Sequence, residues 1–224
     1  MSSRLFETTG ALPRGRHKLS RDEVVASQRL RMMGALVELM SESGYANATI
    51  GEVAARATVS RSAFYQSFAD KQACLFAAYE LFARSLLDRM AAAIDDGSGW
   101  YAMVGAITHE YLRALEEDPV TSRAFLVEMD AAGAEARALQ RATFAQFAAF
   151  LQSRHDVFRT ADPTLGPLPA STFLGIVLGT RALVCDRLAL DRRPQLTDLA
   201  DEVFYWITAT IEGAAAAQTR LGIP

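Results

Sequence analysis

Apolar residues recur at helical spacing along almost the whole chain, and the strict alternation of a half-buried strand appears nowhere. The first periodic run carries Met32, Met33, Leu36, Leu39 and Met40. Ser20 stands in the N-cap position before it, with Glu23 three residues on, the reciprocal pattern of a capping box. Gly44 stands where a helix end wants a left-handed residue. Thr49 opens a second helix with Glu52 as its capping-box partner, and Ile50, Val53, Ala54 and Ala57 form its apolar stripe. After a break at Thr58-Val59, Ser60 caps a third helix that carries Phe64 and Phe68 on one face. Asp70 caps a fourth, longer helix that runs to the region of Ile94.

Further helices are expected over 100–117, 120–131, 134–157, 168–191 and 196–217, with Pro119, Gly133 and the Pro163–Pro169 stretch as punctuation. The segment 159–167 reads as the most mobile connection. The expected fold is all-α. It comprises a flexible arm over 1–19, a helix-turn-helix domain over 20–71 and a larger helical body over 72–224.

The two short helices need the first and fourth as a platform, since neither is long enough to persist alone in water. Joined by a short turn, they form a helix-turn-helix, in which the second helix lies in the DNA major groove. Phe64 and Phe68 anchor that helix, which leaves Ser62, Ala63, Tyr65, Gln66 and Ser67 facing mostly outward. No acidic residue stands among them to repel phosphate. Arg61 can reach a guanine edge or a phosphate, and Gln66 can pair with adenine. The amides at Thr49 and Ser60 suit phosphates, and Lys71 adds a positive charge on the same side.

Charge changes the picture modestly. Residues 1–71 hold ten Lys/Arg and seven Asp/Glu, whereas residues 72–224 hold thirteen and nineteen. A basic front on an acidic remainder suits a nucleic-acid module joined to a body with another task. In the arm, Arg14, Arg16 and Lys18 form a compact basic patch. It is either a minor-groove contact or a solvated tail.

The run Gly44-Tyr45, Thr49-Ile50, Val53-Ala54, Val59-Ser60-Arg61, Phe64-Tyr65-Gln66-Ser67-Phe68 and Lys71 resembles the DNA-binding signature of the TetR family of bacterial regulators. The resemblance covers residues 29–75. It implies an all-α dimer with a DNA-binding head and a ligand-binding body. It also implies that Thr49, Tyr65 and Lys71 hold the phosphate backbone, and that residues 60–66 read bases. One position departs from the pattern, because Thr58 occupies a turn that usually has glycine. Either the turn avoids positive φ or a β-branched residue tolerates it.

Beyond the head, the last two long helices carry the stripes Phe173, Ile176, Val177 and Leu183, and Leu196, Leu199, Val203, Ile207 and Ile211. A homodimer interface is expected on Phe173, Ile176, Val177, Leu199, Val203, Ile207 and Ile211; the other reading of these stripes is the subunit's own core. Trp100, Tyr101, Tyr111, Phe125, Met129, Phe144 and Phe147 are the candidate lining of a pocket for an apolar or aromatic effector, or else packed core. His109 and Glu110 are candidates to orient such a ligand.

The expected function is a repressor that binds a palindromic operator as a homodimer and is released by a small molecule. The alternatives are an activator with the same head, or an all-α enzyme. No phosphate-cradling glycine loop, nucleophile elbow or clustered metal ligands point to catalysis, and neither a metal nor a cofactor is expected. Cys74 and Cys185 have no metal or redox spacing. With no run near the ~20 apolar residues of a membrane span and no signal region, the expected location is the cytoplasm.

Overall fold

In the computed structural model, the described residues are 3–6, 20–95, 97–162 and 165–221. Among them the chain forms α1 (Arg21–Ser43), α2 (Ile50–Arg56), α3 (Arg61–Ser67), α4 (Lys71–Ala92), α5 (Trp100–Glu117), α6 (Pro119–Arg123), α7 (Ala134–Ala161), α8 (Ala170–Leu190) and α9 (Ala200–Leu221). No strand occurs among the described residues, so the fold is all-α. No helix is long and apolar enough to cross a membrane. Helix α6 passes through a π turn, Ala124–Glu128, into a 3-10 turn, Met129–Ala132.

The helix starts follow the expected capping chemistry. Ser20 and Thr49 each complete a capping box, with Glu23 and Glu52 respectively. Ser60 accepts from Ala63 N at 3.0 Å, and Asp70 Oδ1 accepts from Ala73 N at 2.7 Å. Each cap satisfies a first-turn amide that has no partner within its helix. Gly44 ends α1 at φ 82° but ψ 159°, so its backbone is positive in φ without being left-handed helical.

The chain divides into two compact units. One comprises Met1–Arg84 and Glu117–Arg137, and the other Ser85–Glu116 and Ala138–Pro224. The first unit, the head, extends well beyond the 20–71 segment. In it α1 packs against α2, α3, α6 and the π turn. Its core includes the fully buried Met32, Leu36, Met40, Phe64, Leu75, Phe125 and Met129. Tyr79, Phe82 and Phe125 form an aromatic cluster with centroids 5.0–6.3 Å apart. Residues 3–6 also belong to this unit, which corrects the expectation of an arm flexible over all of 1–19. Phe6 is buried, its Cβ so close to Gly34 that a side chain there would stand 2.8 Å from it. Asp118 Oδ2 accepts from Ser3 Oγ and Leu5 N, both at 3.0 Å.

In the second unit, the body, α8 packs against α9. Gly179 admits the Trp206 ring, and a Cβ at that position would lie 2.5 Å from it. Glu116 Oε2 accepts from Thr197 N and Oγ1, each at 2.8 Å, and so caps the 3-10 turn that leads into α9. The connection 162–169 carries the buried Leu165.

The interface expected on α8 and α9 requires correction. Phe173, Ile176, Leu199, Val203, Ile207 and Ile211 are at most 7% exposed within a single subunit. A side chain already out of water has almost no surface left to bury against a partner, so these six are the subunit's own core; Val177 is half-buried. The outward faces of the two helices instead carry Leu174, Leu178 and Tyr205, at 36%, 44% and 74% exposure.

Candidate nucleic-acid interface

The turn between α2 and α3 is built by backbone bonds that the Thr58 position makes geometrically demanding. Val59 N donates to Ala54 O at 2.9 Å and Thr58 N to Ala55 O at 3.1 Å. This pair of bonds is a Schellman closure, which wants a left-handed residue after the C-cap. Thr58 supplies it at φ 56°, and among the described residues no other non-glycine has positive φ. The strained alternative is therefore the one realised, at a cost of about 1 kcal/mol for a β-branched residue.

Four cations of the head are used internally. Arg31 Nη1 donates to Ala57 O at 2.8 Å, closing the C-terminal end of α2. Arg29 Nη1 donates to Ser67 O at the end of α3, and its guanidinium lies 4.2 Å from the Phe68 ring centroid. Positive charge at a helix C-terminus meets both its free carbonyls and its dipole. Arg56 forms a two-pronged pair with Glu42 at 2.9 and 2.8 Å, which joins α2 to α1 and holds the Glu42 carboxyl below its usual range. Lys71 Nζ donates to Tyr45 O at 2.8 Å and Ala48 O at 2.7 Å and lies 4.1 Å from the Tyr45 ring. Its partial burial lowers the ammonium pKa. Lys71 thus staples the α1–α2 loop with two of its three N–H donors. Neither Arg29 nor Arg31 was singled out from sequence. The signal lies in reach: these two arginines, two residues apart on α1 and so on different sides of it, are long enough to close the ends of two different neighbouring helices.

With those cations engaged, α3 presents Arg61, Ser62, Tyr65 and Gln66 to solvent, with Ala63 and Ser67 half-buried. Phe64 and Phe68 lie 5.7 Å apart underneath. Arg61 carries the only charge on this helix, and its guanidinium lies across Gly51 of α2, where a Cβ would be 2.5 Å from Nη2. The two helix starts differ. Thr49 donates its amide and hydroxyl to Glu52 Oε2 at 2.9 and 2.6 Å, so a carboxylate already stands where α2 would receive a phosphate. No acidic residue occupies the first turn of α3, and Ser60 is exposed. Arg14, Arg16 and Lys18 lie outside the described residues.

The candidate effector residues are divided between the two units. Phe125 and Met129 belong to the head's core. In the body, Tyr101 is exposed, with its hydroxyl 3.1 Å from Glu212 Oε1. Tyr111, Phe144 and Phe147 are half-buried, and Phe144 lies 5.2 Å from the Arg181 guanidinium. His109 is exposed. Glu110 is enclosed by Arg89 at 2.7 Å and Arg113 at 2.6 Å. Burial pushes its carboxyl up, but the hydrogen bonds from the two arginines outweigh it and the net shift is downward. Trp100 is buried against His155, Phe158 and, through His155, Phe173. His155 is 1% exposed, and neither of its ring nitrogens nor the Trp100 indole nitrogen has a hydrogen-bonding partner. A buried polar atom left so costs about 1–3 kcal/mol. Sequence reading passed over His155, although its place four residues after Leu151 and three before Phe158 puts it on the inward face of α7.

Cys74 is buried and its thiol is pushed by that burial up to about 12, so it stays protonated.

Residues 33–83 match the family model described as bacterial regulatory proteins, tetR family. The chain is similar in fold to the fatty acid degradation regulator FadR from Bacillus halodurans. The TM-score is 0.74 at 16% identity, over 83% of this chain and 95% of that one. It is also similar to the transcriptional regulator FadR from Bacillus subtilis, solved in complex with stearoyl-CoA, with a TM-score of 0.72 at 17% identity over 82% and 98% of the two chains. For a tetR-family transcriptional regulator from Streptomyces coelicolor the TM-score is 0.64 at 20% identity, over 91% and 87%. No curated protein matches the chain in sequence. With the turn, the caps and the outward face of α3 in place, residues 33–83 are similar to the tetR-family model of bacterial regulatory proteins, and the chain has the fold of these solved transcriptional regulators.

Proposed function

We propose that the protein is a transcriptional repressor that binds a palindromic operator as a homodimer and leaves it when a small apolar effector occupies the body. The observation that carries this reading is the α3 surface, where Arg61, Ser62, Tyr65 and Gln66 are exposed with no acidic neighbour on the helix. Arg29, Arg31, Arg56 and Lys71 are engaged in holding the head together. In this reading Arg61 and Gln66 read bases, while Ser60, Ser62, Ala63, Tyr65 and Ser67 shape the contact to the groove and its phosphates. Lys71 reaches a phosphate with its remaining N–H. Thr49 does so only if Glu52 gives way.

Two heads are needed to read enough bases, and twofold symmetry gives a palindromic site. The face of α8 and α9 that carries Leu174, Leu178 and Tyr205 is the surface proposed to meet a second copy. Leu178→Glu is expected to yield monomers in sedimentation analysis. An effector acts only by favouring the non-binding state, and α4, which runs from the first unit into the second, is the link that would carry the change. The Bacillus subtilis regulator solved with stearoyl-CoA supports an apolar effector class.

The test is titration of the purified protein against the DNA flanking its own gene, across a salt series. Saturable, sequence-dependent binding with a steep salt slope is the expected result. Arg61→Ala should weaken specific binding by about 1–3 kcal/mol and relax specificity at one base position. A wild-type affinity and specificity for that variant would remove Arg61 from the base-reading role.

A further inference from the structure

We infer that the effector is an apolar molecule whose polar end both donates and accepts hydrogen bonds, and that this end is received by His155 and Trp100 of the body. The inference rests on the effector reading above and names the chemistry of its site.

Three polar atoms on two adjoining rings of the body are buried without partners. His155 on α7 stacks edge-on to Trp100 of α5, with centroids 4.9 Å apart, and lies 5.4 Å from Phe173 of α8. Phe158, one turn further along α7, is 6.0 Å from Trp100. All four residues lie within one compact unit. His155 Nδ1 and Nε2 and Trp100 Nε1 are out of solvent and bonded to no protein group. Burial, the largest influence, lowers the imidazole pKa; Arg159 lowers it further and Asp156 opposes. The ring is therefore held neutral, with one N–H donor and one bare nitrogen, while the indole adds a second donor. Native interiors rarely leave such groups unpaired, and three on two adjoining rings call for a polar visitor. The walls around them are phenyl rings, so the visitor's remainder must be apolar. A hydroxyl matches the demand: its oxygen accepts from the indole N–H and meets one ring nitrogen. The second ring nitrogen is left for another polar atom of the ligand. A bare hydrocarbon would leave all three atoms unpaired. A carboxylate would bring a charge into apolar walls.

The test uses 4-butylphenol and butylbenzene, which differ by one hydroxyl, as probes of the full-length protein labelled with nitrogen-15 in its three histidines. The phenol is expected to bind at least about tenfold more tightly, the worth of one hydrogen bond in a dry site. It should also shift the ring-nitrogen resonances of His155. His155→Phe should erase the preference while retaining butylbenzene binding. Equal affinities would overturn the inference, as would phenol binding that leaves His155 unmoved, or no binding of either probe. A water molecule alone on these nitrogens would show as that last result. Operator release is measured separately. If the phenol occupies His155 and DNA stays bound, the site stands and the release mechanism falls. If the phenol releases DNA without moving the His155 resonances, the reverse holds.

Discussion

The two compact units treat buried polarity in opposite ways. In the head, polar groups taken out of solvent are matched within the chain: Arg29, Arg31 and Lys71 close helix ends and a loop, and Asp118 holds Ser3 and Leu5. Arg31 Nε is the one unmatched side-chain atom there among the described residues. In the body, by contrast, both nitrogens of His155, the Trp100 indole nitrogen and the hydroxyls of Thr180 and Thr208 are buried without partners. A surface that must fit the fixed spacing of a DNA groove gains from a scaffold in which every strong donor has one place to go. A unit that changes state on binding gains from groups whose partner arrives later. Under the proposed function, unmatched buried polarity, more than aromatic content, separates binding interior from packing interior.

The comparison can be broken most severely at Phe64. It is fully buried on the inward face of α3, so Phe64→Ala should destabilise the head by about 3–5 kcal/mol. Denaturant unfolding would show a lowered midpoint, and operator binding would be lost with it. A small change would mean the head does not depend on its core for the placement of α3.

Lys71→Ala comes next. Removing a charged donor from two carbonyls should cost about 1.5–3 kcal/mol in the absence of DNA. Thermal melting without DNA distinguishes a staple from a residue that only touches phosphate, since the latter would leave the melting temperature unchanged.

In the body, the prediction concerns acid. The folded pKa of His155 lies below its unfolded value, so the unfolded chain takes up the proton first. Stability should therefore fall as pH drops below the ordinary histidine range near 6.5, by up to about 1.4 kcal/mol per pH unit. Above that range the group contributes no pH dependence. His155→Phe should flatten this part of the profile in melts spanning about two pH units around the ordinary histidine range. An unchanged slope would locate the acid sensitivity elsewhere.

The smallest expected effect is a gain. Thr58→Gly relieves a left-handed threonine and should stabilise the head by about 1 kcal/mol, partly offset by the freer unfolded chain. Calorimetry on the two proteins would settle its sign.

Much of the head was legible beforehand because its determinants are local. A cap needs its partner three residues away, and Ser20, Thr49, Ser60 and Asp70 each have theirs in the same turn. The inward pair Phe64 and Phe68 and the outward Tyr65 follow from helical period alone. Which of two apolar stripes on α8 faces the subunit's interior does not follow from period, because both stripes are apolar and the choice depends on α9. Leu174 and Leu178 point out, whereas Phe173 and Ile176 point in. Likewise the aromatic residues gathered by type as one candidate pocket are divided between two units.

The sequence by itself therefore determined the all-α class, the order of the helices and the outward residues of α3, since each depends on neighbours a turn or less away. Only the tertiary structure decided that Arg29, Arg31 and Lys71 are internal clamps, that Phe6 folds back over Gly34, and that His155 meets Trp100 without a partner for either nitrogen. Those outcomes join residues far apart in the chain. Periodicity reports only which face of a helix a side chain occupies, and packing decides what that face meets.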